Sequence, residues 1–376
     1  MVTVEINDRI EPLIPEWERL AQQSQVRPFL WPGWVDAWWR TLGAGKLRII
    51  AVYEDGQLTG VLPLRRFLGT WSLIPATHIP LSGILAANGT VAKHLARMLF
   101  SQAPRRVDLS YVSPADMEIS LTLKAAEDAN YRVLKRSIPL AETVPYITTD
   151  GTLEEYESGL RRKFRSELRR RRRRLEEEGR LTLEVSDGTE RLDELLEEGF
   201  RVEGSGWKGA YGTSINSRPA LRRFYIKVAH WAVEHDWLRL SFLRLNGRAI
   251  AFDYCLEHND CHYLLKTGYN PAYRKYSPGM ILRHLMIARA FSSSIAIYDF
   301  CGEDWEWKRE WTSTVQERMF LRIFAPTALG HFDRAAFAYG IPALERAKDR
   351  ARSALGERGR DLLKRGRGRA RAGLKR

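Results

Sequence analysis

Two short turns set the outline of this chain. Asp55-Gly56 separates the apolar runs Leu47–Tyr53 and Leu58–Leu64, and Asn246-Gly247 separates Trp237–Leu245 from Ala249–Leu256. An Asp-Gly or Asn-Gly pair between apolar runs predicts a two-residue hairpin, because a type I′ turn needs positive φ at both central residues. Gly247 lies 191 residues beyond Gly56. In each half a helical segment then leads to a strand carrying an aspartate, and Asp299 lies 191 residues beyond Asp108. Two landmarks with one offset predict a duplicated α/β unit. The expected divisions are an N-terminal unit over 1–150, a second unit over 151–328 and a basic tail over 329–376. In a chain of 376 residues, two units of this size are the ordinary arrangement.

Between the repeats, the stripe Leu160, Phe164, Leu168, Leu175 predicts one helix from Leu153 to Glu178, closed by Gly179. Near the N-terminus Trp34 and Trp38 share one face of a helix that Pro32 and Gly33 can start. The net charge of +14 is not spread over these elements. Residues 161–174 hold ten Arg/Lys against one Glu, and 343–376 hold thirteen against four acids, which leaves the remainder slightly acidic. Two concentrated basic segments point to local contacts with RNA or an anionic membrane surface rather than to a wholly basic face. The last dozen residues have the composition of a disordered tail. No apolar run reaches the ~18–20 residues of a membrane span. The acidic N-terminal residues do not resemble a signal peptide. Cys255, Cys261 and Cys301 form no paired framework, so reduced thiols and a cytoplasmic setting are expected, with no metal site. The eight histidines accompany no nucleophile motif and receive no role.

Most of the useful chemistry lies between Tyr263 and Trp311. A strand ends at Tyr269. A basic loop with Arg274 and Lys275 follows, and Ser277-Pro278-Gly279 opens a helix. Serine at the cap, proline at the first turn and the helix dipole together favour an anion such as a pyrophosphate. The following strand ends in Asp299, with Glu303, Asp304 and Lys308 just beyond it. Carboxylates at the end of a strand often face the ligand crevice of an α/β protein. Trp305 and Trp307 could raise the pKa of such an acid, or the acids could instead pair with Lys308 and Arg309. Lys308 could polarise a carbonyl or meet a phosphate. Tyr269 and Tyr298 could protonate a leaving group. The offset places Ala86-Ala87-Asn88 opposite Ser277–Gly279, and the segment Leu109–Ala115 after Asp108 holds no acid. The first unit is therefore expected to serve as scaffold or acceptor wall.

Several of these pieces occur in a familiar order. The basic helix Leu160…Gly179, then Leu243-Arg-Leu-Asn-Gly-Arg-Ala-Ile-Ala251, Gly268-Tyr269-Asn270-Pro271, Ser277-Pro278-Gly279 and Asp299-Phe-Cys-Gly302-Glu303 with Trp307-Lys308 and Trp311 resemble the GNAT acyltransferases. The subgroup they resemble is the CelD type, associated with cellulose and exopolysaccharide synthesis. Trp31–Trp39 and Pro63-Leu64 extend the resemblance over most of 28–325. It implies tandem GNAT-like domains with mixed sheets and flanking helices, related to the Fem-type transferases. It implies transfer of an acyl group from a donor such as acyl-CoA (acetyl-CoA) to an amine. It places the donor's phosphates on Arg274–Gly279, with strand amides near Leu264–Tyr269 as the oxyanion site. The usual Gln/Arg-x-x-Gly-x-Gly/Ala loop is absent, so an acyl carrier protein or an aminoacyl-tRNA also remains open as donor.

Overall fold

The structure is a computed structural model that describes residues 1–75, 77–206 and 212–340. The basic segment 343–376 lies outside the described residues. In chain order, the N-terminal half runs β1 (Val2–Asn7), α1 (Ile14–Gln23), α2 (Pro32–Leu42), β2 (Lys46–Glu54), β3 (Gln57–Phe67), β4 (Thr70–Leu73) and β5 (Leu85–Ala86). It continues through α3 (Gly89–Ser101), β6 (Arg106–Val112), α4 (Met117–Asp128), β7 (Arg132–Lys135) and β8 (Thr143–Thr148). Then come α5 (Leu153–Gly159), α6 (Arg162–Glu176), β9 (Leu181–Ser186), α7 (Leu192–Gly204), α8 (Pro219–Glu234), β10 (Leu238–Leu245), β11 (Arg248–His258) and β12 (Cys261–Tyr269). The described chain closes with α9 (Pro278–Phe291), β13 (Ile297–Asp299), α10 (Glu306–Arg309), β14 (Val315–Glu317), β15 (Met319–Phe324) and α11 (Ala328–Ala335).

Both expected hairpins form. Asp55 and Gly56 adopt φ of 49° and 80°, and Asn246 and Gly247 adopt 50° and 80°, so both central residues of each turn are left-handed, as a type I′ turn requires. One sheet runs β1-β2-β3-β4-β6-β15-β7, with β5 pairing β3, and the other runs β9-β10-β11-β12-β13-β8-β14. The two orders are equivalent position for position. In each sheet an antiparallel meander meets one parallel pair, β4 with β6 or β12 with β13.

The sixth place in each sheet is filled from the other half. β8 precedes the second unit in sequence yet pairs with β13 and β14, while β15 comes last and inserts between β6 and β7. No single point in the sequence therefore separates the two sheets.

Three apolar cores follow from this layering. One lies under α3 and α4, and one lies between the second sheet and α6 and α9. The largest joins the halves through α2 and α8, where Trp34 meets Phe224 edge-on at 5.3 Å. A Cβ on Gly33 would stand 2.2 Å from the Trp231 indole, so glycine is what lets these helices approach.

The single helix expected from Leu153 to Glu178 is two helices. α5 starts on a capping box between Thr152 and Glu155, and the chain turns extended at Leu160 before α6. Glu157 accepts a hydrogen bond from Leu160 N, which closes α5, and Leu168 and Leu175 then seat α6 on the second sheet. The pairs Arg172–Glu176 and Arg173–Glu177 form at 2.9 and 3.9 Å, whereas Glu178 turns to Tyr276 and Lys275. Residues 328–340 continue as α11 and a short π-helical turn.

Candidate active site

β12 and β13 pair over only three residues, from Cys261–Ile297 to Tyr263–Asp299. A bulge leaves Leu265 unmatched, because Tyr254 faces Lys266 while Cys255 faces Leu264. Bulges bend and twist the strand that carries them. Past this point β12 runs on to Tyr269 while β13 has ended. A cavity of 1130 Å³ opens there. Arg171, Ser277 and Met280 line it on the α9 face of the sheet, and Glu203 and Tyr225 line it on the α7–α8 face. It therefore passes through the sheet. His78, Pro80 and Tyr111 of the N-terminal half wall the second side.

Of the residues expected to bind an anion, Arg274, Ser277 and Gly279 line this cavity. Lys275 does not. It points to Glu178, 3.7 Å away, and lies over the Tyr276 ring. Pro278 occupies the first turn of α9, as expected from its fixed φ. Ser277 makes no side-chain cap. It is left-handed, with φ 51°, and its hydroxyl accepts a hydrogen bond from Arg171 Nη1. Its carbonyl oxygen accepts from Met280 N and Ile281 N at 2.9 and 3.3 Å.

The expected acid–base groups separate by environment. Glu303 is exposed at the cavity rim. Asp304 faces away, hydrogen-bonded by Thr143 at 2.7 Å and paired with Arg309. Burial raises its carboxyl, but Arg309 and Thr143 outweigh that and hold it below the usual range. Asp299 is buried. Its Oδ1 accepts from Cys301 N and its Oδ2 from Gln316 Nε2, each at 2.7 Å. Burial raises its pKa against those hydrogen bonds and the charge of Lys308. With both oxygens engaged it shapes the turn after β13 instead of facing a substrate. Tyr269 lines the cavity at the end of β12. Tyr298 is core, and its hydroxyl accepts from Arg283 at 2.5 Å.

Lys308 lines the cavity from beneath, only 4 % exposed. Its ammonium donates to the carbonyl oxygens of Cys301 and Glu303. Burial lowers its pKa to about 8, against the opposing pull of Cys301 and Asp299. Arg318 is also buried and donates to three carbonyl oxygens: Ala141 at 2.9 Å, Pro80 at 2.7 Å and Gly302 at 2.8 Å. Two cations thus hold the carbonyls of 301–303, a turn that contains two left-handed residues, Cys301 and Gly302. The three cysteines are free and buried. Among the described residues no cluster of His, Cys, Asp or Glu could hold a metal ion.

Several cavity residues carry no motif in the sequence. Arg171 has a signal, since it lies three residues after Leu168 and four before Leu175, on the apolar stripe of α6. Arg283 forms a fully buried pair with Asp253 at 2.8 and 2.9 Å, and Asp253 is the one charge within the apolar run Ala249–Leu256. His78, which accompanies no motif, also lines the cavity. Burial, with Lys266 and Arg218 nearby, lowers its pKa to about 4, so it is neutral at pH 7.

Residues 162–309 match the profile of the acetyltransferase (GNAT) domain. This segment is similar to a GNAT-type domain. It contains α6, the split strand pair and α9. No curated protein matches the chain. Among solved structures, FemX superposes with a TM-score of 0.55 at 13% identity, covering 84% of this chain and 96% of its own. The C-terminal domain of a proposed lysylphosphatidylglycerol synthetase from Agrobacterium fabrum gives 0.53 at 12%, covering 88% and 96%. A Bacteroides thetaiotaomicron protein of unknown function gives 0.54 at 13%, covering 86% and 100%. At such identities these likenesses concern the fold alone, and they extend beyond the matched domain to both sheets.

Proposed function

We propose that the chain is an N-acyltransferase that moves an acyl group from a phosphate-bearing carrier to an amine. The observation that carries this reading is the parting of β12 from β13 beside the start of α9. The donor lies on the α9 face, its phosphates near Arg171, Arg274 and the Gly279 amide, where positive charge and the helix dipole favour an anion. Its carbonyl reaches the stretch of β12 that runs on past β13, near Leu264–Tyr269, where strand amides stabilise the oxyanion. The acceptor arrives from the opposite face, between Tyr225, Glu203 and the wall of His78, Pro80 and Tyr111.

In the reaction the amine nitrogen attacks the carbonyl carbon, a C–N bond forms and the bond to the carrier breaks. Glu303, through water, takes the amine proton, and Tyr269 returns a proton to the leaving thiolate. Asp299 and Lys308 position the turn from which Glu303 projects. The preferred donor is acyl-CoA (acetyl-CoA or a longer chain). The CelD-type resemblance favours a setting in polysaccharide or cell-envelope synthesis. Calorimetric titration with CoA thioesters tests the donor, with binding lost in the Arg171→Ala/Arg274→Ala variant. No binding by the wild type, or equal binding by the variant, ends the CoA version.

The second reading is a Fem-like transfer from aminoacyl-tRNA. Its support is that α6, with its arginine run, reaches the cavity through Arg171. Each neutralised phosphate would then contribute about −0.7 to −0.9 to the log–log salt slope of tRNA binding. Absence of tRNA binding at low salt removes it.

A further inference from the structure

A second groove, of 640 Å³, adjoins the cavity and shares Arg171, Met280 and Trp307 with it. It lies where α6 faces the start of α9 and α10. Its floor is apolar: Phe164, Leu168, Met280 and Trp307. Away from Arg171, which it shares with the cavity, part of its charge is offset, since Arg161 pairs with Glu310. A floor of this kind offers little to a phosphate and suits a hydrocarbon chain.

The surface around the groove has matching chemistry. Trp305 stands next to the groove residue Glu306, lines the cavity mouth and is 46 % exposed. Leu140, whose carbonyl oxygen accepts from Asp304 N at 2.7 Å, is 48 % exposed beside it. Large exposed apolar side chains grouped at a cavity mouth mark an interaction surface more than isolated ones do. On its solvent side α6 exposes Arg169, Arg170, Arg173 and Arg174, with Arg170 paired to Glu167 at 2.7 Å and Arg173 to Glu177 at 3.9 Å, and none of the four lines either cavity.

We propose that this face docks on an anionic lipid surface, with the arginines of α6 over the headgroups and Trp305 and Leu140 entering the interface. The groove then takes an aliphatic chain from that surface toward the reaction centre. A tryptophan and a leucine beside a cationic helix are the pairing that binds interfaces through apolar burial and charge together. A nucleic acid would use the arginines but leave Leu140 and the aliphatic floor unoccupied. This surface goes beyond acyl transfer, because docking needs no chemistry at the cavity.

The test is co-sedimentation of the full chain with vesicles of phosphatidylcholine alone or mixed equally with phosphatidylglycerol. The mixed vesicles bind the protein and the neutral ones do not, and binding falls as salt rises. Arg169, Arg170, Arg173 and Arg174 are changed together to Gln. Each neutralised charge lowers affinity by roughly five-fold, so the quadruple variant loses at least about a hundred-fold. Its circular dichroism and melting stay as in the wild type, because all four side chains are exposed. Leu140→Asn, which suits the left-handed backbone at φ 64°, lowers affinity several-fold without altering the salt dependence. Absence of wild-type binding, or unchanged binding by the quadruple variant, overturns the proposal. So does displacement of the protein from mixed vesicles by tRNA that binds the same four arginines more tightly.

Discussion

Arg318 donates through Nη1 to the carbonyl oxygen of Pro80 at 2.7 Å, tying the wall of the N-terminal half to the turn that follows β13. The same guanidinium holds Gly302 on the site side and Ala141 in the segment leading into β8. One buried side chain therefore sets the distance between the two walls of the cavity.

Replacing Arg318 with Met strips the donor from all three carbonyls. Each buried acceptor left unsatisfied costs about 1–3 kcal/mol. The expected loss is at least about 3 kcal/mol, read as a lower denaturant midpoint with an unchanged m-value. Arg318→Lys recovers little, because one ammonium cannot reproduce the planar fork. An unaltered midpoint in Arg318→Met would show that these bonds do not carry the contact.

Asp253 and Arg283 make the second buried charge contact. Removing one partner of such a pair leaves an uncompensated charge and costs about 3–5 kcal/mol. Asp253→Asn is expected to lose roughly that amount, whereas the double change Asp253→Leu/Arg283→Met regains most of it. A double-mutant cycle in urea measures the coupling. A coupling near zero would mean that each residue acts alone.

Lys308 gives the stability of the protein a defined pH dependence. Its pKa is about 8 in the folded state against 10.5 unfolded, so the unfolded chain holds more protons between those values. Stability relative to a Lys308→Met variant must therefore rise from pH 8 to 10.5, by up to about 3 kcal/mol, and stay level below pH 8. Urea titrations of both proteins at each pH provide the comparison. A flat difference across this window would place the lysine in water.

Gly268 tests the approach of α7 to β12. A Cβ at this position would lie 2.4 Å from the Glu203 Cα, on a backbone that cannot yield locally. Gly268→Ala is expected to cost about 1–3 kcal/mol through overpacking and to widen the cavity beside β12. Donor titration and melting should both change. A variant as stable and as competent in binding as the wild type would show that α7 shifts freely.

The parts legible in the sequence were those specified within a few residues. The type I′ pairs Asp55-Gly56 and Asn246-Gly247 dictate their own hairpins, and the shared offset reported two equivalent sheets. The helix start at Ser277-Pro278-Gly279 was legible from its local signature, although the serine makes no side-chain cap. The exchange of β8 and β15 was not legible, because Thr143–Thr148 and Met319–Phe324 read as ordinary strands whose partners lie far along the chain. The break at Leu160 hid inside an apolar stripe that continues across it. For Asp304 the sequence left open both a site role and the pairing with Arg309 that forms, while Lys275 carried a suitable charge that Glu178 claims, a pairing that depends on where side chains meet in space.

The reciprocal placement of β8 and β15 also bears on how the protein is made. During synthesis the first sheet emerges with β6 and β7 separated by an empty lane, and unpaired strand edges invite pairing with other chains. That lane stays open until Met319–Phe324 leaves the ribosome. The wall that holds His78 and Tyr111 belongs to this unfinished sheet. A nascent chain therefore cannot hold a complete cavity until translation has passed β15.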